Sequence, residues 1–61
     1  MAEANWLIKG CRVMAYDWAD DRLGRATVLW VGRDYVRVVL DVSGKRVVVR
    51  RDKCKRLVRR A

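Results

Sequence analysis

The sequence predicts a single all-β domain built from five short strands. Hydrophobic residues make up 52% of the 61 residues, and many of them are valines, which favour strands. Proline is absent, and two short turn signals, Gly32-Arg33-Asp34 and Ser43-Gly44, separate runs in which side chains alternate between apolar and polar. A chain of this length buries only about 60% of its unfolded surface, so we expect one small core.

The strands follow one another with little chain between them. They are predicted at residues 11–16, 25–31, 35–41, 46–51 and 55–59. A loop rich in aspartate, residues 17–24, follows the first strand, and tight turns follow the second and third. Asp52 is expected to cap a single turn of helix before the last strand. The alternative is a basic helix over residues 52–60, with Leu57 and Val58 as its weak apolar face.

Alternation along the strands predicts which side chains form the core. The predicted core consists of Val13, Ala15, Ala26, Val28, Val31, Val36, Val38, Leu40, Val47, Val49, Cys54 and Leu57. On this pattern the chain divides into a flexible N-terminal segment (residues 1–7), the β-domain (8–58) and a basic C-terminal tail (59–61).

Four packing motifs carry a family resemblance over about residues 8–57. They are Gly10-Cys11-Arg12-Val13, then Ala26, Val28 and Val31, then Val36, Val38 and Leu40, and last Val49, Cys54 and Leu57. With the strand order above, the chain resembles the SH3-like small β-barrel, in the sub-group of Tudor and KOW-type domains. The resemblance implies a five-stranded SH3-like small barrel with a short helical turn before the last strand. It also implies a nucleic-acid-binding role, although such motifs specify packing rather than ligand.

The chain departs from the Tudor pattern in one respect. Relatives of that kind use aromatic side chains to cage methylated ligands by cation–π attraction. Here Asp41-Val42-Ser43-Gly44 replaces the region after the third strand that usually supplies an aromatic, which argues against a cage. Residues 27–57 also resemble the middle of the carbon storage regulator family of small dimeric RNA-binding proteins, but residues 1–5 lack that family's first strand.

The net charge of +8 lies entirely in residues 45–61. The first 44 residues are neutral, whereas the rest carry nine basic side chains and Asp52 alone. A concentrated positive potential attracts polyanions, so we predict contact with the phosphate backbone of DNA or RNA. The alternative is a solvated basic tail that keeps a small protein soluble. The predicted nucleic-acid-binding residues are Arg37, Arg46, Arg50, Arg51, Lys53, Lys55, Arg56, Arg59, Trp18, Trp30 and Tyr35.

An apolar stripe is predicted on the outer face of the second to fourth strands. Leu29, Val39 and Val48 are expected side by side across these strands. The N-terminal segment could cover them through Trp6, Leu7 and Ile8. Otherwise they form a surface for homodimerisation or for a protein partner. The alternative function is accordingly a protein–protein interaction module, such as an adaptor or inhibitor of phage or mobile-element type.

Catalysis is not expected. The chain has no histidine to serve as a base for Cys11 or Cys54, which are also too few for a zinc site and are expected to be free thiols. Asp20 and Asp21 are best explained as a solvated turn. No cofactor or metal is predicted. No membrane contact is predicted either, because no apolar run approaches the roughly 20 residues of a membrane span. The expected location is the cytoplasm, in association with the nucleoid or free of it.

Overall fold

A five-stranded antiparallel sheet and one 3-10 turn make up the fold. The structure, a computed structural model, describes residues 6–57. The elements in chain order are β1 (Arg12–Tyr16), β2 (Arg22–Val31), β3 (Tyr35–Leu40), β4 (Arg46–Arg50), the 3-10 turn (Arg51–Lys53) and β5 (Cys54–Arg56). The predicted all-β class, with five strands and a helical turn before the last one, is confirmed.

The strand order in the sheet is β4-β3-β2-β1-β5. The first four strands form a meander, and β5 returns to pair with β1. Within residues 6–57 the ladders end at β4 and β5, so hydrogen bonds do not close the sheet into a complete barrel.

Two irregularities bend the ten-residue strand β2. Its pairing with β3 shifts register between Val28 and Trp30, and its pairing with β1 shifts opposite the step from Ala15 to Tyr16. Gly24 lies near the second shift with a φ of 125°, a left-handed conformation that side chains rarely tolerate. Register shifts of this kind bend and twist a strand, which allows the sheet to curve over its own inner face.

That inner face holds the core. The buried residues are Leu7, Val13, Ala15, Ala26, Val28, Val36, Val38, Val49 and Cys54, with Trp6, Cys11, Val31, Leu40 and Val47 packed against them. Alternation therefore predicted the strand part of the core correctly. Leu7 was missed, because it precedes β1 and no periodicity marks it. Leu57 is only partly buried.

The segment after β4 differs from the prediction in two details. Cys54–Arg56 is a strand paired with β1, so the alternative basic helix is wrong for the part of it that is described. Asp52 does not cap the 3-10 turn, whose N-cap is Arg50 with no side-chain hydrogen bond. Asp52 instead accepts a hydrogen bond from Arg50 Nε at 3.2 Å.

The predicted tail, residues 59–61, and residues 1–5 of the predicted N-terminal segment lie outside the described part of the chain. Between residues 6 and 57 there is no helix with the length and apolar character needed to cross a bilayer.

Candidate nucleic-acid interface

Two aromatic–arginine pairs lie on the outer face of the sheet. Trp30 of β2 is directly opposite Arg37 of β3, and Tyr35 of β3 is directly opposite Arg50 of β4. Side chains directly opposite each other on antiparallel strands project from the same face and lie close to one another. Tyr35 and Arg37 also share this face, because they are two residues apart on one strand.

We call this surface the arginine–aromatic face. It comprises Trp30, Tyr35, Arg37, Arg46, Val48 and Arg50, all of them exposed. Val48 continues the Trp30–Arg37 row, and Arg46 lies opposite Val39. Within residues 6–57, Arg37 and Arg46 take part in no ion pair, whereas Arg50 Nε lies 3.2 Å from the Asp52 carboxylate. The face thus combines apolar rings with guanidinium groups available to an anion.

Gly32 leaves room for the Trp30 indole. A Cβ built on Gly32 would lie 2.5 Å from Trp30 Cζ3, closer than real Cβ atoms approach another atom, and 3.0 Å from the Tyr35 carbonyl oxygen, a tight contact. The indole therefore lies directly over the Gly32 backbone while 57% of the residue's surface remains exposed. The sequence analysis treated Gly32 only as a turn residue. The spacing Trp30-x-Gly32 on one face of a strand end was the signal that could have revealed its role.

Arg51 holds the β2–β3 turn in place. Its Nη1 donates to the carbonyl oxygens of Gly32 at 3.4 Å and Arg33 at 3.2 Å, and its backbone N–H donates to Asp34 O at 3.0 Å. The guanidinium is thereby committed to the protein's own backbone. Arg51 was predicted to bind nucleic acid, but these contacts point to a positioning role.

A depression of about 400 Å³ adjoins this turn and is lined by Arg33, Asp34, Tyr35, Arg50, Arg51 and Asp52. Arg33 is exposed here and was not among the predicted binding residues.

Lys53 ties the aspartate-rich loop to the 3-10 turn. Its Nζ lies 2.5 Å from Asp20 Oδ1, and this hydrogen bond and charge hold the pKa of Asp20 below its usual value. The loop is also ordered by Asp17, whose Oδ1 accepts hydrogen bonds from the backbone N–H groups of Ala19 and Asp21, both at 2.9 Å. Trp18, at 84% exposed, projects from this loop and not from the arginine–aromatic face.

Lys55 and Arg56 lie on β5, at the other edge of the sheet from β4. Lys55 is opposite Met14 and Arg56 opposite Val13, and both are exposed. Arg56 lines a second depression, of about 730 Å³, with Trp6, Ile8, Gly10, Cys11, Arg12, Arg25 and Leu57. The basic residues that are contiguous in sequence are thus divided between both edges of the sheet. Arg59, also predicted to bind, lies outside the described residues.

The register separates the residues of the predicted apolar stripe. Val39 lies between Thr27 and Arg46, and Val48 lies opposite Arg37. Leu29 falls in the register shift of β2 and is only partly exposed. Leu29, Val39 and Val48 therefore do not form one row across the strands. Their role as a partner surface stays a prediction.

Both cysteines are free. Cys54 is buried, and burial, reinforced by the charges of Cys11 and Asp52, raises the pKa of its thiol to about 11. Among residues 6–57 no group of three or more His, Cys, Asp or Glu side chains is placed to hold a metal ion.

No protein-family model matches this chain, and no curated protein or solved structure matches it significantly. The geometry of the described residues is therefore the basis for assigning a function.

Proposed function

We propose that this chain is a non-catalytic nucleic-acid-binding protein that contacts the backbone of DNA or RNA through the arginine–aromatic face. The observation that carries the proposal is the pairing of each exposed ring with an arginine directly across the strand, Trp30 with Arg37 and Tyr35 with Arg50. Guanidinium groups bind phosphates, often in bidentate fashion. Exposed rings contact bases or sugars beside them. One surface thus offers contacts to both the phosphates and the bases or sugars of a polynucleotide.

The proposal narrows the predicted set of binding residues. Arg37, Arg46 and Arg50 are assigned to phosphate contact. The ion pair of Arg50 with Asp52 is solvent-exposed on both sides and therefore weak. Arg51 and Lys53 act within the protein, since the first binds backbone carbonyls and the second binds Asp20. Lys55 and Arg56 contribute to the general positive potential from the other edge of the sheet, which assists association without fixing the ligand.

We also propose that the fold is an SH3-like barrel of Tudor or KOW type. The support is topological: a four-strand meander, a 3-10 turn, and a short fifth strand that returns to β1. The long, bent β2 supports it further, because a strand that turns a corner can serve both halves of a small barrel. A cytoplasmic or nucleoid location accords with this proposal.

The experiment compares two double variants that each remove two positive charges. Binding to a labelled duplex and to a labelled RNA is measured by fluorescence anisotropy across a salt series. Each lost phosphate contact lowers the slope of log K against log salt by about 0.7–0.9. We expect Arg37→Ala/Arg46→Ala to lower the slope by about 1.4–1.8.

The matched control is Lys55→Ala/Arg56→Ala, which changes net charge equally on β5. It is expected to reduce affinity slightly with little change in slope. Equal slopes for the two double variants would show that the arginine–aromatic face is not the interface. Absence of binding at low salt would reject the function.

A second candidate is the protein–protein interaction module, of phage or mobile-element type. The observation that favours it is that the 3-10 turn joins two loops, through Arg51 to the β2–β3 turn and through Lys53 to the Asp17–Asp21 loop. Trp18 and Tyr35 add exposed rings, and the exposed carboxylate of Asp21, which is in no ion pair within residues 6–57, would attract a basic segment. Capture of one protein by the wild type but not by Trp18→Ala, with no nucleic-acid binding at low salt, would favour this candidate.

A further inference from the structure

We propose that the ligand of the arginine–aromatic face is single-stranded, with one unpaired base stacked on Trp30 and another on Tyr35. The inference rests on the proposed function and names the class of nucleic acid that the face selects.

The register sets the distance between the two rings. Trp30 is opposite Arg37, and Tyr35 lies two residues from Arg37 on β3. Trp30 and Tyr35 are therefore diagonal neighbours across two strands, a relation that places side chains about 7–8 Å apart. Bases within a duplex are covered on both faces by their neighbours, which lie about 3.4 Å away. Rings on a sheet surface therefore reach base faces only where the strand is unpaired and its bases are splayed.

Each ring has its own cation at a matching position. Arg37 is the direct cross-strand neighbour of Trp30, and Arg50 is that of Tyr35. The unit of one ring and one guanidinium occurs twice in neighbouring rows of the sheet. A strand of nucleic acid has the same alternation, because each nucleotide supplies one base face and one phosphate. The face accordingly suits two successive or nearly successive nucleotides.

The Trp30 ring packs on an ordered turn of the protein before the ligand arrives. Its indole lies over Gly32, and the Gly32 N–H donates to the Tyr35 carbonyl oxygen at 2.8 Å. Arg51 fixes the same turn from the other side through the carbonyl oxygens of Gly32 and Arg33. Ordering groups before binding reduces the entropy lost on association. A preformed stacking surface therefore favours an exposed base over a merely charged backbone.

The test compares a 12-nucleotide oligo(dT) and oligo(U) with a 12-base-pair duplex at one salt concentration. Wild-type protein is expected to bind the single strands at least about tenfold more tightly, since stacking strengthens binding about 5- to 150-fold for each base. Trp30→Leu and Tyr35→Leu each remove a ring but no charge. Each is expected to weaken single-strand binding by a factor in that range, to leave duplex binding unchanged and to preserve the salt slope.

Two further variants keep the test decisive. Gly32→Ala retains every ring and charge but displaces the Trp30 indole, so a smaller loss confined to single strands is expected even if Trp30→Leu does not fold. Trp18→Leu removes a still more exposed indole, from the Asp17–Asp21 loop away from the arginine–aromatic face, and is expected to bind like the wild type. Far-UV circular dichroism tests whether each variant is folded, and binding is compared among the folded ones.

The outcomes separate the inference from the function on which it rests. Duplex binding as tight as single-strand binding would overturn the inference and leave the proposed function intact. So would leucine variants that bind single strands like the wild type, or an equal loss for Trp18→Leu. Failure to bind any of the three ligands at low salt would overturn both.

Discussion

The contact between Gly32 and Trp30 predicts an energetic coupling whose size follows from the geometry. In Gly32→Ala the new Cβ would lie 2.5 Å from Trp30 Cζ3, so the indole must move by about 1 Å to reach ordinary van der Waals contact. Overpacking of this kind costs about 1–3 kcal/mol, and because the indole is half exposed we expect about 1–2 kcal/mol. The φ of Gly32 lies outside the left-handed region, so alanine introduces no backbone strain there.

The sign of the effect depends on the ring. Without the clash, replacing glycine by alanine stabilises by about 0.4–1 kcal/mol, because it restricts the unfolded chain. In a Trp30→Ala background the Tyr35 carbonyl oxygen, at 3.0 Å, becomes the tightest remaining approach, and a small backbone shift relieves it. Gly32→Ala is therefore expected to destabilise the wild type but to be neutral or stabilising in Trp30→Ala.

The assay is urea unfolding followed by far-UV circular dichroism for the four proteins of the double-mutant cycle. The expected coupling free energy is about 1–2 kcal/mol, well above the roughly 0.3–0.5 kcal/mol by which independent sites depart from additivity. Gly44→Ala is the control: its φ of 73° makes alanine strained, and no atom lies within 4 Å. Its cost should be equal in both backgrounds. If Gly32→Ala also had the same effect in both backgrounds, the contact between Gly32 and the Trp30 indole would be refuted.

Two pH-dependent predictions follow from titratable side chains. The folded pKa of Asp20 is lowered by Lys53, so this pair stabilises the fold above the unfolded pKa of about 4 and the effect is lost as pH falls through the folded pKa. In Lys53→Met the midpoint of urea unfolding should depend less on pH between pH 2 and 6. An unchanged pH dependence would contradict the pairing. For Cys54, whose folded pKa of about 11 exceeds the unperturbed 9.0, stability should fall as pH rises between these values. Cys54→Ala should reduce that fall. If the variant and the wild type lost the same stability over this pH range, the thiol would not be the cause.

Alternation of side chains was sufficient to predict β3 and β4, whose inner faces pack against the core. For β3 the predicted range ends one residue later than Leu40, and for β4 one residue later than Arg50. In both strands an apolar side chain at every second position faces the core, with Val36, Val38 and Val49 buried, and this specifies which face lies inward. The start of β2 was predicted at residue 25, three residues late, since Arg22 and Leu23 are exposed and Gly24 has a positive φ. Nothing in their pattern resembles a half-buried strand.

The outer face was harder to predict, because nothing buried fixes its register. The shift between Val28 and Trp30 places Trp30, not Leu29, opposite Arg37. Because β2 has one extra residue here, the row that contains Arg37 and Val48 begins with the Trp30 indole instead of an aliphatic side chain. The same shift divides the predicted stripe of Leu29, Val39 and Val48. Such a shift depends on tertiary curvature, which a local pattern does not encode.

The division of the basic segment changes what its charge can do. In sequence the cations form one run, but the 3-10 turn sends β5 back to β1, so β4 and β5 lie at opposite edges of the sheet. Lys53 is neutralised by Asp20, and Arg51 is used by the β2–β3 turn. Excess charge therefore supplies a broad attraction, whose effect on association is sensitive to salt. Selectivity must come from the few positions where a cation and a ring are held side by side, and within the described residues Trp30–Arg37 and Tyr35–Arg50 are such positions.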